Sequence, residues 1–179
     1  GPGNVSGIYV HEKYGTQPSF HRLAGWWGLN DKPRFQMENV IDPMPGADGW
    51  QLSNMNIIPT AIHHESLRIF QEAGFNRLRE KSKALTGYLE YLLLKTEGIN
   101  SKIKILTPSN EEERGCQLSI FLQQNGKEVF DFLIDIDVIL DWREPNVIRV
   151  APTPLYNTFN EGFSFTKILS RALKKFNES

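Results

Sequence analysis

The chain has 179 residues, of which 40% are hydrophobic and 23% are charged, and its formal net charge is −1. These values are typical of a folded globular protein and exclude extended disorder. Acidic and basic residues are interspersed, which disfavours nucleic acid as a partner because such a binding face needs clustered lysine and arginine. There is no run of about 18 apolar residues, so neither a membrane-spanning helix nor a membrane partner is predicted.

The chain has a single cysteine, Cys116, so it cannot form an internal disulfide. This favours a reducing compartment, and we predict a cytoplasmic protein. The N-terminal stretch "GPGNVSGIYV" has no basic segment followed by an apolar one, which disfavours a signal peptide. The stretch begins with Gly-Pro and without methionine, which fits either a scar left by a protease or a chain cut from a longer one, and the sequence alone leaves both open.

The first third of the chain is predicted to be irregular. Residues 8–10 (IYV) indicate a short strand, but glycine and proline interrupt every periodic pattern in residues 11–56. So long an irregular stretch is typical of a functional loop or of a segment held by a partner surface. We predict a domain boundary near residue 60, giving domains 1–60 and 61–179.

From about Thr60 onward the pattern predicts regular structure. Apolar residues at helical spacing predict helices over 60–73 and 75–96, separated by Gly74. Alternation predicts strands at Ile103–Ile105 and at Cys116–Leu122. A short helix in "NGKEVFDFLIDI", two strands in "VILDW" and "VIRVAP", and a last helix from about Asn160 complete the order. This order predicts an α+β domain in which helices cover a small, mainly antiparallel sheet.

The candidate site residues each have a structural alternative. Arg149 lies between apolar residues of a predicted strand, where it either faces solvent or binds a carboxylate through its planar fork. Asn54 either caps a helix or turn, or binds a ligand. Trp26 and Trp27 either pack in a core or subunit contact, or donate their indole N–H groups to a ligand.

No metal site is predicted from the histidines or the cysteine. Adjacent His63 and His64 would point about 100° apart on a helix and cannot serve as an i, i+4 ligand pair. His11 and His21 have no cysteine or aspartate nearby in the sequence at the spacing of metal ligands. Cys116 lies in an alternating strand and is predicted to be a buried, inert thiol.

Six stretches, in this order, resemble the C-terminal part of kynureninase: "VSGIYVHEK", "AGWWG", "PGADGWQLSN", "LREKSKALTGYLEYLL", "TPSNEEERGCQLSI" and "DWREPNVIRVAPTPLYNTF". The family is a homodimeric, pyridoxal 5′-phosphate-dependent hydrolase of the aspartate-aminotransferase-like fold, fold type I. The resemblance implies that residues 1–60 are the remnant of the large cofactor-binding domain and residues 61–179 the small α+β domain.

The resemblance also implies roles for three residues. The family's loop tryptophan falls on Trp26, which would help bind the cofactor phosphate in the neighbouring subunit. Its asparagine falls on Asn54, near the cofactor phosphate and the substrate. Its strand arginine falls on Arg149, the partner of the substrate α-carboxylate.

Three departures from the family pattern follow. Leu29 stands where histidine is common, and Met55 and Asn56 stand where two prolines are common, so the preference between kynurenine and 3-hydroxykynurenine stays open. The family's Schiff-base lysine comes a few residues before the stretch matching "GPG", where this sequence begins. The chain alone is therefore expected to contain no catalytic residue and to be inactive.

The resemblance implies a parent enzyme of tryptophan catabolism, in the kynurenine pathway towards NAD biosynthesis. It would hydrolyse L-kynurenine or 3-hydroxykynurenine to anthranilate or 3-hydroxyanthranilate and L-alanine. Its partners would be a small amino-acid substrate and a second subunit. The alternatives are the small domain of another pyridoxal-phosphate lyase or aminotransferase, and a non-catalytic assembly module.

Overall fold

The computed structural model describes residues 5–15, 20–23, 25–36 and 38–177. The "GPG" stretch lies outside the described residues. The chain divides into two compact units, Gly1–Ile69 (unit 1) and Phe70–Ser179 (unit 2). Among the described residues, no helix has the length and hydrophobicity of a membrane span.

Unit 1 contains mostly turns and loops. Its short helices are α1 (Glu12–Gly15) and α2 (Asp31–Arg34), and 3-10 turns lie at Trp26–Gly28 and Asp48–Trp50. The strand predicted for residues 8–10 is wrong: these residues are in neither helix nor strand, and Tyr9 is 87% exposed. The described part of unit 1 offers no strand with which they could pair, and an unpaired strand is unstable in water.

Two long helices follow, as the periodicity predicted. Helix α3 spans Ile57–Ala73 and helix α4 spans Phe75–Lys95. They are separated by Gly74, whose φ of +82° is one that L side chains rarely adopt. No described residue of α3 is buried, whereas α4 buries one stripe at helical spacing: Ser82, Leu85, Thr86, Leu89 and Leu93.

Unit 2 contains a four-stranded antiparallel sheet in the order β1-β2-β4-β3. The strands are β1 (Ile103–Ile105), β2 (Leu118–Leu122), β3 (Asp141–Arg143) and β4 (Val147–Val150). Helix α5 (Gly126–Asp135) lies between β2 and β3, and helix α6 (Phe159–Asn177) follows β4. The predicted order of elements and the predicted α+β class with an antiparallel sheet are confirmed.

One face of the sheet carries the core of unit 2. Leu118, Ile120 and Leu122 of β2 alternate inward and are fully buried, and the β4 partner of Ile120 is Ile148, also buried. Helices α4, α5 and α6 cover this face with buried apolar side chains, namely Leu89, Leu93, Val129, Leu133, Leu169 and Leu173. The opposite face, here called the outer face, carries the residues at the alternate positions, including Ser119, Asp141 and Arg149.

The charged side of α4 is only partly solvated, since the Lys83 side chain is 26% exposed. Lys83 contacts the carboxylates of Glu111 and Glu112 in the turn before β2. The hydrogen bond with Glu112 raises the pKa of Lys83, and the same contact lowers the pKa of Glu112. Nearby, the largely buried pair Arg114–Glu90 joins the same segment to α4 at 2.6 Å. These ion pairs fix the segment that leads into β2.

A capping box begins helix α6. The Oγ1 of Thr158 accepts a hydrogen bond from the backbone N–H of Glu161 at 3.3 Å, and the Glu161 carboxylate accepts one from the Thr158 N–H at 2.6 Å. The Glu161 carboxylate also accepts a hydrogen bond from the Thr158 hydroxyl, and together these donors lower the pKa of Glu161 below its ordinary 4.5. The box stabilises the folded state while Glu161 is ionised.

Replacing Glu161 with glutamine is expected to weaken the dependence of stability on acid pH. A lowered pKa in the folded state gives stability that is fully present above the unfolded-state pKa and is lost as the pH falls through the folded-state pKa. The measurement is the difference in Tm between pH 7 and acidic pH, which should be smaller in the Glu161→Gln variant. Glu97→Gln, a change at an exposed carboxylate in the turn after α4, is the control. Equal pH dependence in wild type and Glu161→Gln would contradict the assignment.

Candidate functional site

Trp26 lies in a 3-10 turn of unit 1. Its indole N–H donates to the backbone carbonyl of Arg34 at 2.9 Å, and its ring packs edge-on against Phe35. The side chain is 48% exposed, so the ring surface is accessible although its only donor is in use. The structure therefore holds Trp26 in place through its donor, and the ring is the part available for contact.

Close backbone packing joins the Trp26 turn to the segment before Asn54. A Cβ added to Gly25 would lie 2.0 Å from Leu52 Cα, and one added to Gly28 would lie 2.8 Å from the Gln51 carbonyl oxygen. Only glycine permits so close an approach. The glycines of "AGWWG" thus bring the tryptophan turn next to the stretch that leads into Asn54.

Asn54 has an exposed side chain and makes no hydrogen bond within the described part of the chain. Helix α3 begins three residues later, at Ile57, and the Asn56 carbonyl accepts the Thr60 N–H. The interpretation of Asn54 as a helix cap is therefore wrong, because its side chain bonds to no N–H of the first helical turn. Its amide donors and acceptor remain available to a ligand.

Unit 1 also contains buried donors, of which the sequence singled out only the Trp27 indole. Among the described residues, Arg22 Nη1, Trp27 Nε1, Arg34 Nε and Trp50 Nε1 are buried without a hydrogen-bond acceptor. The Arg22 guanidinium lies over the Trp50 ring, 4.9 Å from its centroid. The signal that was missed is the arginine preceding the tryptophan pair in "RLAGWWG". Buried unpaired donors are costly, so these groups suit acceptors from a ligand or another protein segment.

Arg149 lies on the outer face of the sheet in unit 2. Its Nη2 contacts the Asp141 carboxylate, its Nε is buried without an acceptor among the described residues, and its side chain is 30% exposed. Arg149 thus lies on the outer side of the sheet, as the solvent-facing alternative predicted, but its guanidinium is only partly exposed and is paired with a carboxylate. The guanidinium is held against one carboxylate and still has donors available for another.

The predicted site residues fall in two groups. Unit 1 contains Trp26 and Asn54, and unit 2 contains Arg149.

No group of three or more His, Cys, Asp or Glu side chains suited to a metal ion lies among the residues that the structure describes. Cys116 is half-buried and precedes β2, which begins at Leu118, so its prediction as a fully buried strand residue is wrong.

Comparison with known proteins places the chain among kynureninases. The family model for the kynureninase C-terminal domain matches residues 78–169, which is more than half of the chain. Kynureninase of Flavobacterium psychrophilum is 47% identical over 97% of this chain and 41% of the relative. Kynureninase 2 of Emericella nidulans is 45% identical over 98% of this chain and 39% of the relative. The chain thus spans about two fifths of the length of these curated relatives.

A solved structure supports the fold. A C-DES mutant with glycine covalently linked to its PLP cofactor superposes with a TM-score of 0.62 and 13% identity, over 82% of this chain and 37% of that one. At this identity the likeness establishes the fold alone. The family match and the sequence identities establish more: the chain belongs to the kynureninase family.

Proposed function

We propose that this chain is the C-terminal part of an enzyme that hydrolyses L-kynurenine or 3-hydroxykynurenine. The products are anthranilate or 3-hydroxyanthranilate and L-alanine, as in tryptophan catabolism and NAD biosynthesis. The feature of this chain that carries the proposal is the guanidinium of Arg149. It is held on a strand by Asp141, and its side chain is 30% exposed, which leaves part of the planar fork accessible to a substrate α-carboxylate.

The donors in unit 1 fit an anionic cofactor such as pyridoxal 5′-phosphate. The Asn54 amide is exposed and unbonded among the described residues, so its N–H groups can donate to phosphate oxygens. Trp26 can take the same role only if its indole N–H leaves the Arg34 carbonyl. When bound, the cofactor supplies the electron sink for cleavage of the substrate Cβ–Cγ bond.

The roles of this chain's own residues are binding and orientation. Arg149 binds the α-carboxylate and thereby sets the direction of the rest of the substrate, a role that suits its planar fork. Asn54 contacts the cofactor phosphate and polar substrate groups. Trp26 contributes to the cofactor site of the neighbouring subunit in a homodimer.

The domain organisation and location form part of the same proposal. Residues 1–60 are the tail of the large cofactor-binding domain, and residues 61–179 form the small domain. The loop character and exposed apolar side chains of the first segment, such as Tyr9 and Leu23, support its packing against other parts of a longer protein. The single cysteine supports a cytoplasmic enzyme.

The experiment that tests the function uses the purified full-length protein loaded with pyridoxal 5′-phosphate. With L-kynurenine it should form anthranilate, followed by fluorescence, and L-alanine in equal amounts. Transfer of the amino group to a keto acid without anthranilate would instead support the aminotransferase alternative. Heat-inactivated protein with the same cofactor is the control for non-enzymatic cleavage.

The chain of 179 residues by itself is expected to be inactive. The residues assigned here bind and orient, and the family resemblance puts the lysine that anchors the cofactor before residue 1. Incubation of this chain with pyridoxal 5′-phosphate and L-kynurenine should give no anthranilate above a blank containing the cofactor alone. Turnover by this chain at a rate near that of the full-length protein would contradict the proposal.

A further inference from the structure

A row of three polar residues crosses the outer face of the sheet at Arg149. Ser119 of β2 and Asp141 of β3 are the direct cross-strand partners of Arg149 in β4. Directly opposed residues of antiparallel strands place their side chains on the same face. The neighbouring residue Ile148 is buried on the other face, so the row lies opposite the core.

Asp141 links two arginines. One carboxylate oxygen contacts Arg149 Nη2, and the other accepts a hydrogen bond from Arg143 Nη1 at 2.9 Å. Arg143 is on the same strand two residues later, on the same face. Both oxygens of Asp141 are therefore in use, and the carboxylate is held beside the Arg149 guanidinium from two sides.

A carboxylate ligand that binds Arg149 must share the guanidinium with this fixed negative charge. Two carboxylates on one guanidinium repel each other, and at a partly exposed site this repulsion is reduced by solvent but not abolished. Arg143 offsets part of the charge of Asp141. The strength of carboxylate binding therefore depends on the balance between Asp141 and Arg143.

We propose that Asp141 sets the affinity of this site by weakening the binding of carboxylates to Arg149, with Arg143 acting in the opposite direction. The proposal rests on the proposed function of Arg149 as the carboxylate-binding residue. Asp141 thus gives the site a moderate affinity, because a carboxylate ligand must displace Asp141 from the Arg149 guanidinium or share the guanidinium with it. Ligand release is correspondingly eased.

The direct test is titration of the 179-residue chain with acetate, followed by NMR at the Nε–H of Arg149. That signal is assigned by its loss in Arg149→Lys. Asp141→Asn keeps an oxygen acceptor and removes the charge, so it should tighten acetate binding about 3- to 10-fold. Arg143→Gln leaves the charge of Asp141 less compensated and should weaken binding by a similar factor. Asp135→Asn, the same change at an exposed residue at the end of α5, should leave binding unchanged.

The opposite signs separate this role from a structural one. If the Asp141 carboxylate only held Arg149 in position, neither Asp141→Asn nor Arg143→Gln would tighten acetate binding. Unchanged or weaker binding of acetate by Asp141→Asn would therefore overturn the proposal. Absence of any acetate effect on Arg149 in all variants would overturn it as well. In the full-length protein, Asp141→Asn should lower KM for L-kynurenine at unchanged kcat, and a raised KM would contradict the proposal. The proposed function is judged separately, by anthranilate formation in the wild-type protein.

Discussion

Replacing Arg149 with lysine in the full-length protein is expected to lower kcat/KM for L-kynurenine about 100-fold. Lysine keeps the positive charge but loses the planar fork, and with it one or two charge-assisted hydrogen bonds to the carboxylate. Such a loss is about 3 kcal/mol. Because the carboxylate is bound in the ground state and in the transition state, the larger part should appear as a raised KM. Steady-state anthranilate formation measures both constants.

The control for this change is Arg171→Lys, which makes the same substitution at an exposed position of α6. It should leave kcat/KM within about twofold of wild type, since exposed substitutions away from a site rarely have larger effects. Equal activity of Arg149→Lys and Arg171→Lys would show that Arg149 does not bind the substrate carboxylate.

Replacing Leu93 with alanine is expected to destabilise unit 2 by about 3 kcal/mol. Leu93 is fully buried in the core between α4 and the sheet, together with Leu89 and Leu173. The alanine variant loses the transfer free energy of three carbon atoms and leaves a cavity that the close-packed core fills only in part. Urea unfolding of the 179-residue chain, followed by far-UV circular dichroism, should show a lower midpoint at an unchanged m value.

The adjacent residue Leu94 provides a matched control. It has the same side chain on the same helix, yet it is 48% exposed. Leu94→Ala should therefore change the free energy of unfolding by less than about 1 kcal/mol. If the two variants were destabilised equally, the orientation of α4 against the sheet would be wrong.

The sequence predicted the elements of unit 2 well because each has a strong local signal. The buried stripe of α4 repeats at helical spacing, and β2 alternates strictly between buried and half-buried residues. Burial against a sheet or a helix requires these two periods, so they are visible before any tertiary contact is known. Residues 8–10 failed as a strand because β-branched and aromatic residues predict a strand only where a neighbouring strand exists to pair with them.

The site residues were found from the sequence to different extents. The resemblance pointed to Arg149, Asn54 and Trp26, whereas pattern alone left a solvent-facing arginine and a capping asparagine as alternatives. Asp141 was not singled out, although it is the contact partner of Arg149. The two are eight residues apart and meet only because a tight turn sets β3 and β4 side by side, a pairing that propensities do not specify.

The family resemblance, the α+β class and the order of helices and strands follow from the sequence alone, because motifs and hydrophobic periods are local properties. Which donors are engaged depends on the tertiary fold. It bonded the Trp26 indole to Arg34, left Asn54 unbonded among the described residues, and placed Asp141 against Arg149. Hydrogen bonds and ion pairs depend on distances between residues remote in sequence, and those distances exist only once strands are paired and loops are closed.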